Sequence, residues 1–298
     1  MSEPMQLLSI QGMFTAQDAK NHIPHSFDVP AGAAQLDVRF EFAPLQVEGQ
    51  PGTNNLSLSL FDPLGARGAG HNCLDRSSIS ISAVYATPGY VSGALQPGVW
   101  ILVIDTHMVL PGAPLNYRLD VTVLFDPIPG EAHVWKKGIT NPRGPGWYRG
   151  DLHAHTIHSD AHWDMPDLVE AARAYDLDFV TLTDHNTVSP LAQMDSLSTD
   201  DLLTMGGLEL TTYYGHALAL GVRRWIDWRV RADERTIQDI AAEVEAAGGL
   251  FVIAHPMSHL HRLRLALRRY DARHSTHRRG LEWGALERTE RARPCFMV

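Results

Sequence analysis

The stretch GDLHAHTIHSD, residues 150–160, places three histidines and two aspartates within eleven positions. Imidazole nitrogens and carboxylate oxygens bind divalent metals and transfer protons near neutral pH. His153 and His155 are two residues apart, so on an extended backbone both side chains leave the same face. The spacing therefore predicts that these two imidazoles face one ion. His158 and His162 lack such a partner, and we interpret them as loop residues.

Further residues of metal-binding types lie in or just after the apolar stretches of the second half. They are Asp184 and His185 after DFVTLT, Glu209 in LLTMGGLEL, His216 at the start of HALALG, and His255 after LFVIA. In α/β domains the carboxyl ends of parallel strands meet at one edge or mouth, where binding sites are built. We therefore expect five separate segments to bring ligands to one cleft.

Two different patterns must position these residues. Residues 1–127 contain short runs that alternate apolar and polar between Gly- and Pro-rich turns, which is typical of a β-sandwich or jelly roll. Residues 128–146 lose this periodicity and predict a linker. From residue 147 apolar strands alternate with helices, one predicted after Asp164 and another after Asp233. Such alternation is typical of an α/β domain, open or barrel-shaped.

Taken together, the motifs of residues 147–257 resemble the PHP (polymerase and histidinol phosphatase) superfamily of metal-dependent hydrolases. More narrowly, they resemble its CehA/McbA-like branch of carbaryl-hydrolase-like proteins. The motifs are HxH with a following Asp, TDH after a buried strand, GLEL, GH and HP. The resemblance implies a distorted (β/α)7 barrel over residues 147–258, with up to three divalent ions at its mouth and a β-rich region before it.

The resemblance also implies how the ligands divide among three ions, with Glu209 bridging. The implied sets are His153, His155 and Glu209; Asp160 and His185; and Glu209, His216 and His255. Mixed imidazole and carboxylate ligation suits Zn²⁺, Mn²⁺ or Fe²⁺ better than Mg²⁺ or Ca²⁺. We interpret Asp151 and Asp184 as turn residues, or residues behind the ligands, that orient neighbouring imidazoles.

Hydrolysis is the expected reaction of such a centre, because divalent ions activate water and stabilise negative charge. Arg149 could hold an anionic substrate, and His216 or His255 could protonate the leaving group if it is not bound to an ion. We expect a phosphoesterase that acts on a small molecule. The alternatives are a carboxylic or carbamate ester hydrolase, and a non-catalytic metal-containing binding protein. In that last case Trp100 and Tyr90 could line a sugar site, although their positions at strand ends favour core packing.

The family pattern closes with Asp-x-His on a late strand, and residues 259–298 lack this spacing. Asp271 and His274 are spaced as DxxH, in a segment with ten Arg against one Asp and three Glu. We therefore expect a barrel that is truncated at its C-terminus and followed by an atypical Arg-rich tail.

Composition narrows the remaining classes of function. The chain of 298 residues has a formal net charge of −9, which is unfavourable for binding nucleic acid through a broad surface. It has no apolar run long enough for a membrane helix and no secretory leader, so we expect a cytoplasmic protein without membrane contact. Its two cysteines lack CxxC spacing and predict no thiolate zinc site. The oligomeric state stays open.

Overall fold

The computed structural model describes residues 3–71, 73–126, 128–141, 143–231 and 234–256. The described first half has one short 3-10 helix (Ala16–Asp18) and eight strands: β1 (Met5–Phe14), β2 (His22–Val29), β3 (Gln35–Ala43), β4 (Asn55–Asp62), β5 (Gly65–Gly70), β6 (Arg76–Ser82), β7 (Gly98–Met108) and β8 (Leu115–Leu124). They form two four-stranded antiparallel sheets, with strand orders β1-β8-β3-β6 and β2-β7-β4-β5.

The two sheets of the first half pack face to face around one apolar core. In β3 the side chains of Leu36, Val38 and Phe40 are buried and alternate with more exposed positions, as expected for a strand with one covered face. The same core contains Trp100 and Tyr90. The first half is therefore β-rich and sandwich-like, and these two aromatic residues serve packing and not a surface sugar site.

The second half contributes five strands and three helices within the described residues. They are β9 (Gly150–Ala154), α1 (Met165–Ala174), β10 (Phe179–Leu182), α2 (Leu191–Ser196), β11 (Leu203–Thr212), β12 (Gly215–Leu220), α3 (Ile237–Ala246) and β13 (Leu250–Ile253). The strands form one sheet in the order β13-β12-β11-β10-β9. Strands β9, β10 and β11 are parallel, whereas β12 is antiparallel to both of its neighbours.

The prediction of a (β/α)7 barrel is wrong, because the described second half is an open mixed sheet with few helices. The turn after β11 supplies the physical reason. Only Tyr213 and Tyr214 separate β11 from β12, and a hairpin this short can join antiparallel strands alone. A parallel neighbour would need a crossover of about a dozen residues or more. The predicted tail over 259–298, with Asp271 and His274, lies outside the described residues.

The predicted helices start at well-defined capping residues. Asp164 caps α1 as predicted: its side chain accepts from the backbone N–H of Asp167, whose own side chain reaches back. Thr236 and Asp239 form the same reciprocal pair at the start of α3. Both helices lay an apolar face on the sheet, including Val169 of α1, and so cover the strands that carry the polar residues. None of the helices in the described ranges is long and apolar enough to cross a membrane.

The two halves are joined by buried polar contacts. Asp105 of β7 is fully buried and accepts from His22 Nδ1 at 2.6 Å and from Ser59 Oγ at 2.6 Å. From the second half, Arg229 places its Nε 3.7 Å from the same carboxylate, and Tyr213 stacks on the His22 ring. Because a buried charge needs such partners, these contacts hold the sandwich in a fixed position against the second sheet.

Candidate metal centre

Topology brings the predicted ligands to one edge of the second sheet. Since β9, β10 and β11 are parallel, their carboxyl ends point the same way. The antiparallel β12 starts at that edge, where His216 is its second residue, and β13 ends there before His255. A parallel backbone bridge sets His185 directly beside Glu209. Separate segments therefore deliver imidazoles around one carboxylate.

Glu209 is the hub of the cluster, and its side chain is only 1% exposed. Its Oε2 lies 3.0 Å from His153 Nε2, 3.1 Å from His155 Nε2 and 3.2 Å from His185 Nδ1. Its Oε1 lies 2.9 Å from His216 Nδ1 and 2.9 Å from His255 Nε2. Five imidazoles thus contact the two oxygens of one carboxylate.

Two groups of donors within the described residues could each hold a metal ion, and both include Glu209. One group is His153, Glu209 and His255, and the other is His155, His185 and Glu209. In each group the ligand atoms lie within 4.8 Å of one another. Glu209 is shared by both groups. The implied set of His153, His155 and Glu209 is also brought together, because the Nε2 atoms of His153 and His155 lie 3.0 Å apart and both contact Glu209 Oε2. His216 lies against Glu209 outside both groups.

The remaining predicted site residues differ in how near they come. Asp160 lies at the margin, with Oδ2 3.4 Å from His185 Nε2 and Oδ1 3.9 Å from His155 Nδ1. Arg149 is exposed and precedes β9, at the opposite end of the strand from the histidines. Its described contacts are backbone bonds with Asp178 and Phe179. The structure therefore does not bring Arg149 to the cluster.

The protonation states follow from burial and from the mutual contacts. Burial opposes ionisation of Glu209, but hydrogen bonds from His153, His155 and His216 outweigh it and hold the pKa of the carboxyl far below its usual range. Burial likewise lowers the pKa of His155, but its contacts with Glu209 outweigh this and raise that pKa above its usual value. Glu209 is thus ionised, as a ligand must be, and a bound ion would displace protons from its partners.

Asp184 organises the loop that carries His155 and Asp160. This fully buried carboxylate accepts from the backbone N–H of Thr156 at 2.8 Å, from its hydroxyl at 2.6 Å, and from the Ser159 hydroxyl at 2.5 Å. Asp184 therefore fixes the loop backbone, and it reaches the His155 imidazole through Ser159, whose hydroxyl lies 3.4 Å from His155 Nδ1. Asp151 acts locally, accepting from the backbone N–H of His153 at 2.9 Å.

Asn186 and Thr211 position the cluster and were missed by the sequence reasoning. Asn186 has φ 57°, a left-handed conformation that Asn tolerates better than most residues. Its side chain binds the backbone N–H and C=O of Thr211, and its own N–H donates to Glu209 O at 3.0 Å. The Thr211 hydroxyl hydrogen bonds to His185 Nδ1. The only available signal was the turn preference of Asn directly after the Asp-His pair.

Loop residues from both halves also meet beside the cluster. His158 Nδ1 accepts from the backbone N–H of Gly89 at 3.2 Å and lies 2.7 Å from Ser189 Oγ. Its interpretation as a loop residue without a ligand role agrees with these contacts. A histidine of the sandwich, His71, lies against His185 with ring centres 4.7 Å apart. Burial, reinforced by His185 and His107, lowers the pKa of His71 well below its usual value, so its imidazole is neutral at pH 7.

The donor set fits a divalent transition metal. Several imidazoles and one buried carboxylate match the preferences of Zn²⁺, Mn²⁺ or Fe²⁺, whereas Mg²⁺ and Ca²⁺ prefer oxygen ligands. His185 is held by Thr211, a second partner of the kind that orients metal-binding imidazoles. The described residues thus contain His/Glu groups that could hold a metal ion, and they leave its identity open.

Comparison with known proteins adds little. No known protein-family profile and no curated protein matches this chain. A periplasmic inhibitor of g-type lysozyme from Salmonella Typhimurium is 12% identical, with a TM-score of 0.22, over 42% of this chain and 93% of that one. A salicylyl-acyltransferase from a tetracycline biosynthetic pathway is 13% identical, with a TM-score of 0.18, over 59% of this chain and 49% of the other. Likenesses this weak do not bear on fold or function.

Proposed function

We propose that this chain is a metal-dependent hydrolase with its active site at the Glu209 cluster. The observation that carries the proposal is the contact of five imidazoles with one buried carboxylate. Imidazole nitrogens that converge on one carboxylate form a donor arrangement of the type that holds divalent ions in proteins. The resemblance of residues 147–257 to PHP-superfamily hydrolases supports the same chemistry independently of the geometry.

The protein's part in the reaction is to hold its ligands rigidly. Glu209 joins the two donor groups, Thr211 fixes the His185 ring, and Asp184 fixes the loop that bears His155. When bound, divalent ions supply Lewis acidity, which makes a water acidic near neutral pH and stabilises negative charge in a transition state. A preorganised ligand cage of this type serves that chemistry because little needs to move during the reaction.

Side-chain exposure gives the direction of substrate approach. His255 and His153 are 35% and 28% exposed, while His185, His216 and Glu209 lie beneath them. The rings of His153 and His255 stack with centres 5.7 Å apart and form the open side. We propose that the substrate enters over these two rings. A proton-transfer role for His216 or His255 stays a prediction.

Charge favours a phosphoester as the substrate class. With both donor groups loaded by divalent ions, the carboxylates of Glu209 and Asp160 would offset only part of the positive charge. A centre that is net positive attracts an anionic substrate and stabilises the charge on a phosphoryl group. Carboxylic or carbamate esters are the second candidate, because the resemblance is strongest to the CehA/McbA-like branch.

A substrate panel tests the proposal. Protein loaded with Zn²⁺ or Mn²⁺ is assayed with p-nitrophenyl phosphate, bis(p-nitrophenyl) phosphate, p-nitrophenyl acetate and an aryl carbamate. We expect phosphate ester hydrolysis that Glu209→Gln reduces at least about 100-fold, since the bridging ligand is lost. Glu245→Gln, which removes an exposed carboxylate of α3, is the matched control and should retain full activity. Inactivity of the metal-loaded protein on all four substrates would contradict a hydrolase.

A further inference from the structure

The sandwich places one of its own histidines against the metal centre. His71 directly follows β5, the edge strand of the sheet β2-β7-β4-β5. Its ring lies between two others: the His185 ring, 4.7 Å away between centres, and the His107 ring, 4.8 Å away. His185 belongs to a donor group of the centre, whereas His107 belongs to β7 of the sandwich. His71 is therefore where the sandwich meets the cluster.

This position is fixed by contacts that do not involve the His71 ring. Ala69, two residues earlier in β5, donates its N–H to Gly89 O at 3.1 Å. Gly89 in turn binds the second half: Thr187 Oγ1 donates to its O at 2.6 Å, and its N–H donates to His158. The end of β5 is thus tied to the loops that follow β9 and β10. The closeness of His71 to His185 follows from this backbone arrangement.

The imidazole of His71 has an orphaned nitrogen. The residue is 7% exposed, and its Nδ1 is buried with no hydrogen-bond partner in the described part of the chain. Its Nε2 has only a distant contact, 4.0 Å from Cys73 Sγ. The neighbouring ring behaves differently, because His107 Nε2 bonds Ser57 Oγ at 2.8 Å. A buried polar atom without a partner destabilises a fold, and such an atom needs an explanation.

We infer that His71 is a further ligand, supplied by the sandwich, for the divalent ion of the His155, His185 and Glu209 group. The inference rests on the proposed metal centre and adds to it a ligand that the HxH, TDH, GLEL, GH and HP motifs do not contain. An ion gives the orphaned imidazole the partner that it lacks. The centre is then built from both halves of the chain, so that the sandwich acts directly in metal binding.

A ligand and a packing residue differ in how their substitution changes the stability gained from metal. His71→Phe keeps a ring of similar shape and removes both nitrogens. If His71 is a ligand, the metal-free variant is at least as stable as the wild type, because an unpartnered buried nitrogen is gone. The same variant binds metal more weakly and therefore gains less stability from it. If His71 only packs, the gain in stability on adding metal is the same in the variant as in the wild type.

The experiment measures thermal unfolding of the full chain in EDTA and in Zn²⁺, together with Zn²⁺ affinity by competition with a chromogenic chelator. For His71→Phe we expect at least a tenfold weaker affinity, an undiminished Tm in EDTA and a smaller rise of Tm with Zn²⁺. His107→Phe is the matched control from the same ring stack. It loses the bond to Ser57, so its Tm in EDTA should fall while its Zn²⁺ affinity stays within about twofold of the wild type.

The outcomes separate this inference from the proposed function. If the wild type binds no Zn²⁺, both fail. If the wild type binds Zn²⁺ and His71→Phe binds it equally well, the metal centre stands and the role of His71 is overturned. His71→Asn provides a second variant in case the phenyl ring prevents folding, and the same loss of affinity is expected from it. Equal affinity in that variant would overturn the role of His71 as well.

Discussion

The two halves of the molecule bury different kinds of side chain. The sandwich has one continuous core that includes Leu36, Trp100 and Leu119, contributed by both of its sheets. In the part of the second half that the structure describes, the apolar residues divide into three smaller clusters, and buried polar residues run through 183–187 beside them. A continuous apolar core provides stability, whereas buried polar groups are stable only with partners. We conclude that the sandwich stabilises the fold and the second half is organised around its site.

Truncating the sandwich core should have the largest effect on stability. Trp100→Ala removes a fully buried indole and should lower the free energy of unfolding by about 3–5 kcal/mol. Trp147→Ala is the matched control, because Trp147 is fully exposed, and its effect should stay within about 0.5 kcal/mol. Urea unfolding monitored by circular dichroism gives both values. A loss below about 1 kcal/mol for Trp100→Ala would contradict the conclusion that the sandwich core stabilises the fold.

Removing metal should destabilise the second half selectively. Free metal at about 100 times its Kd stabilises a native protein by about 2.7 kcal/mol, and chelation reverses this. Hydrogen exchange with and without EDTA locates the effect. We expect amides near the carboxyl ends of β10 and β11 to lose protection, while those of β3 change little. Equal loss of protection in β3 would show that the halves respond as one unit.

Disturbing the loop support should weaken metal binding without abolishing it. In the wild type the Asp184 carboxylate accepts three hydrogen bonds from the loop that carries His155. In Asp184→Asn an amide replaces this carboxylate, so the loop is held less firmly. We expect Zn²⁺ affinity to fall about 10- to 100-fold, which is typical of residues that orient ligands. Asp176→Asn is the control, since Asp176 is exposed and its φ of 53° suits Asn. An unchanged Zn²⁺ affinity in Asp184→Asn would show that Asp184 does not support metal binding.

The smallest predicted effect is a pH dependence that arises in the sandwich. Burial lowers the pKa of His25 below its usual 6.5, so the folded state favours the neutral imidazole. As the pH falls below about 6.5, His25 binds a proton in the unfolded chain before it does so in the folded protein. The free energy of unfolding therefore decreases. In EDTA, His25→Gln should therefore be less destabilised than the wild type between pH 7 and pH 5. The exposed His133 is the control. If His133→Gln reduced the loss of stability between pH 7 and pH 5 as much as His25→Gln does, the assignment of this pH dependence to His25 would be contradicted.

The sequence predicts local structure better than it predicts how the strands and sheets pack together. The same-face projection of His153 and His155 and the cap at Asp164 depend on nearest neighbours, and such features follow from residue type and spacing. The (β/α)7 barrel was wrong because the two-residue turn at Tyr213 reverses the chain, and a resemblance in motifs does not report strand direction. The approach of His71 to His185 could not be predicted, because the two residues are 114 positions apart in sequence and meet only through the packing of two different sheets.

Metal content is the most direct test of the central claim that Glu209 gathers imidazoles around divalent ions. The wild type, Glu209→Gln and Glu245→Gln are incubated with Zn²⁺, dialysed against metal-free buffer and analysed by inductively coupled plasma mass spectrometry. We expect at least one Zn²⁺ per chain in the wild type and in Glu245→Gln, and none above background in Glu209→Gln. A Glu209→Gln protein that keeps the wild-type content, or a wild type that holds no metal, would contradict the claim.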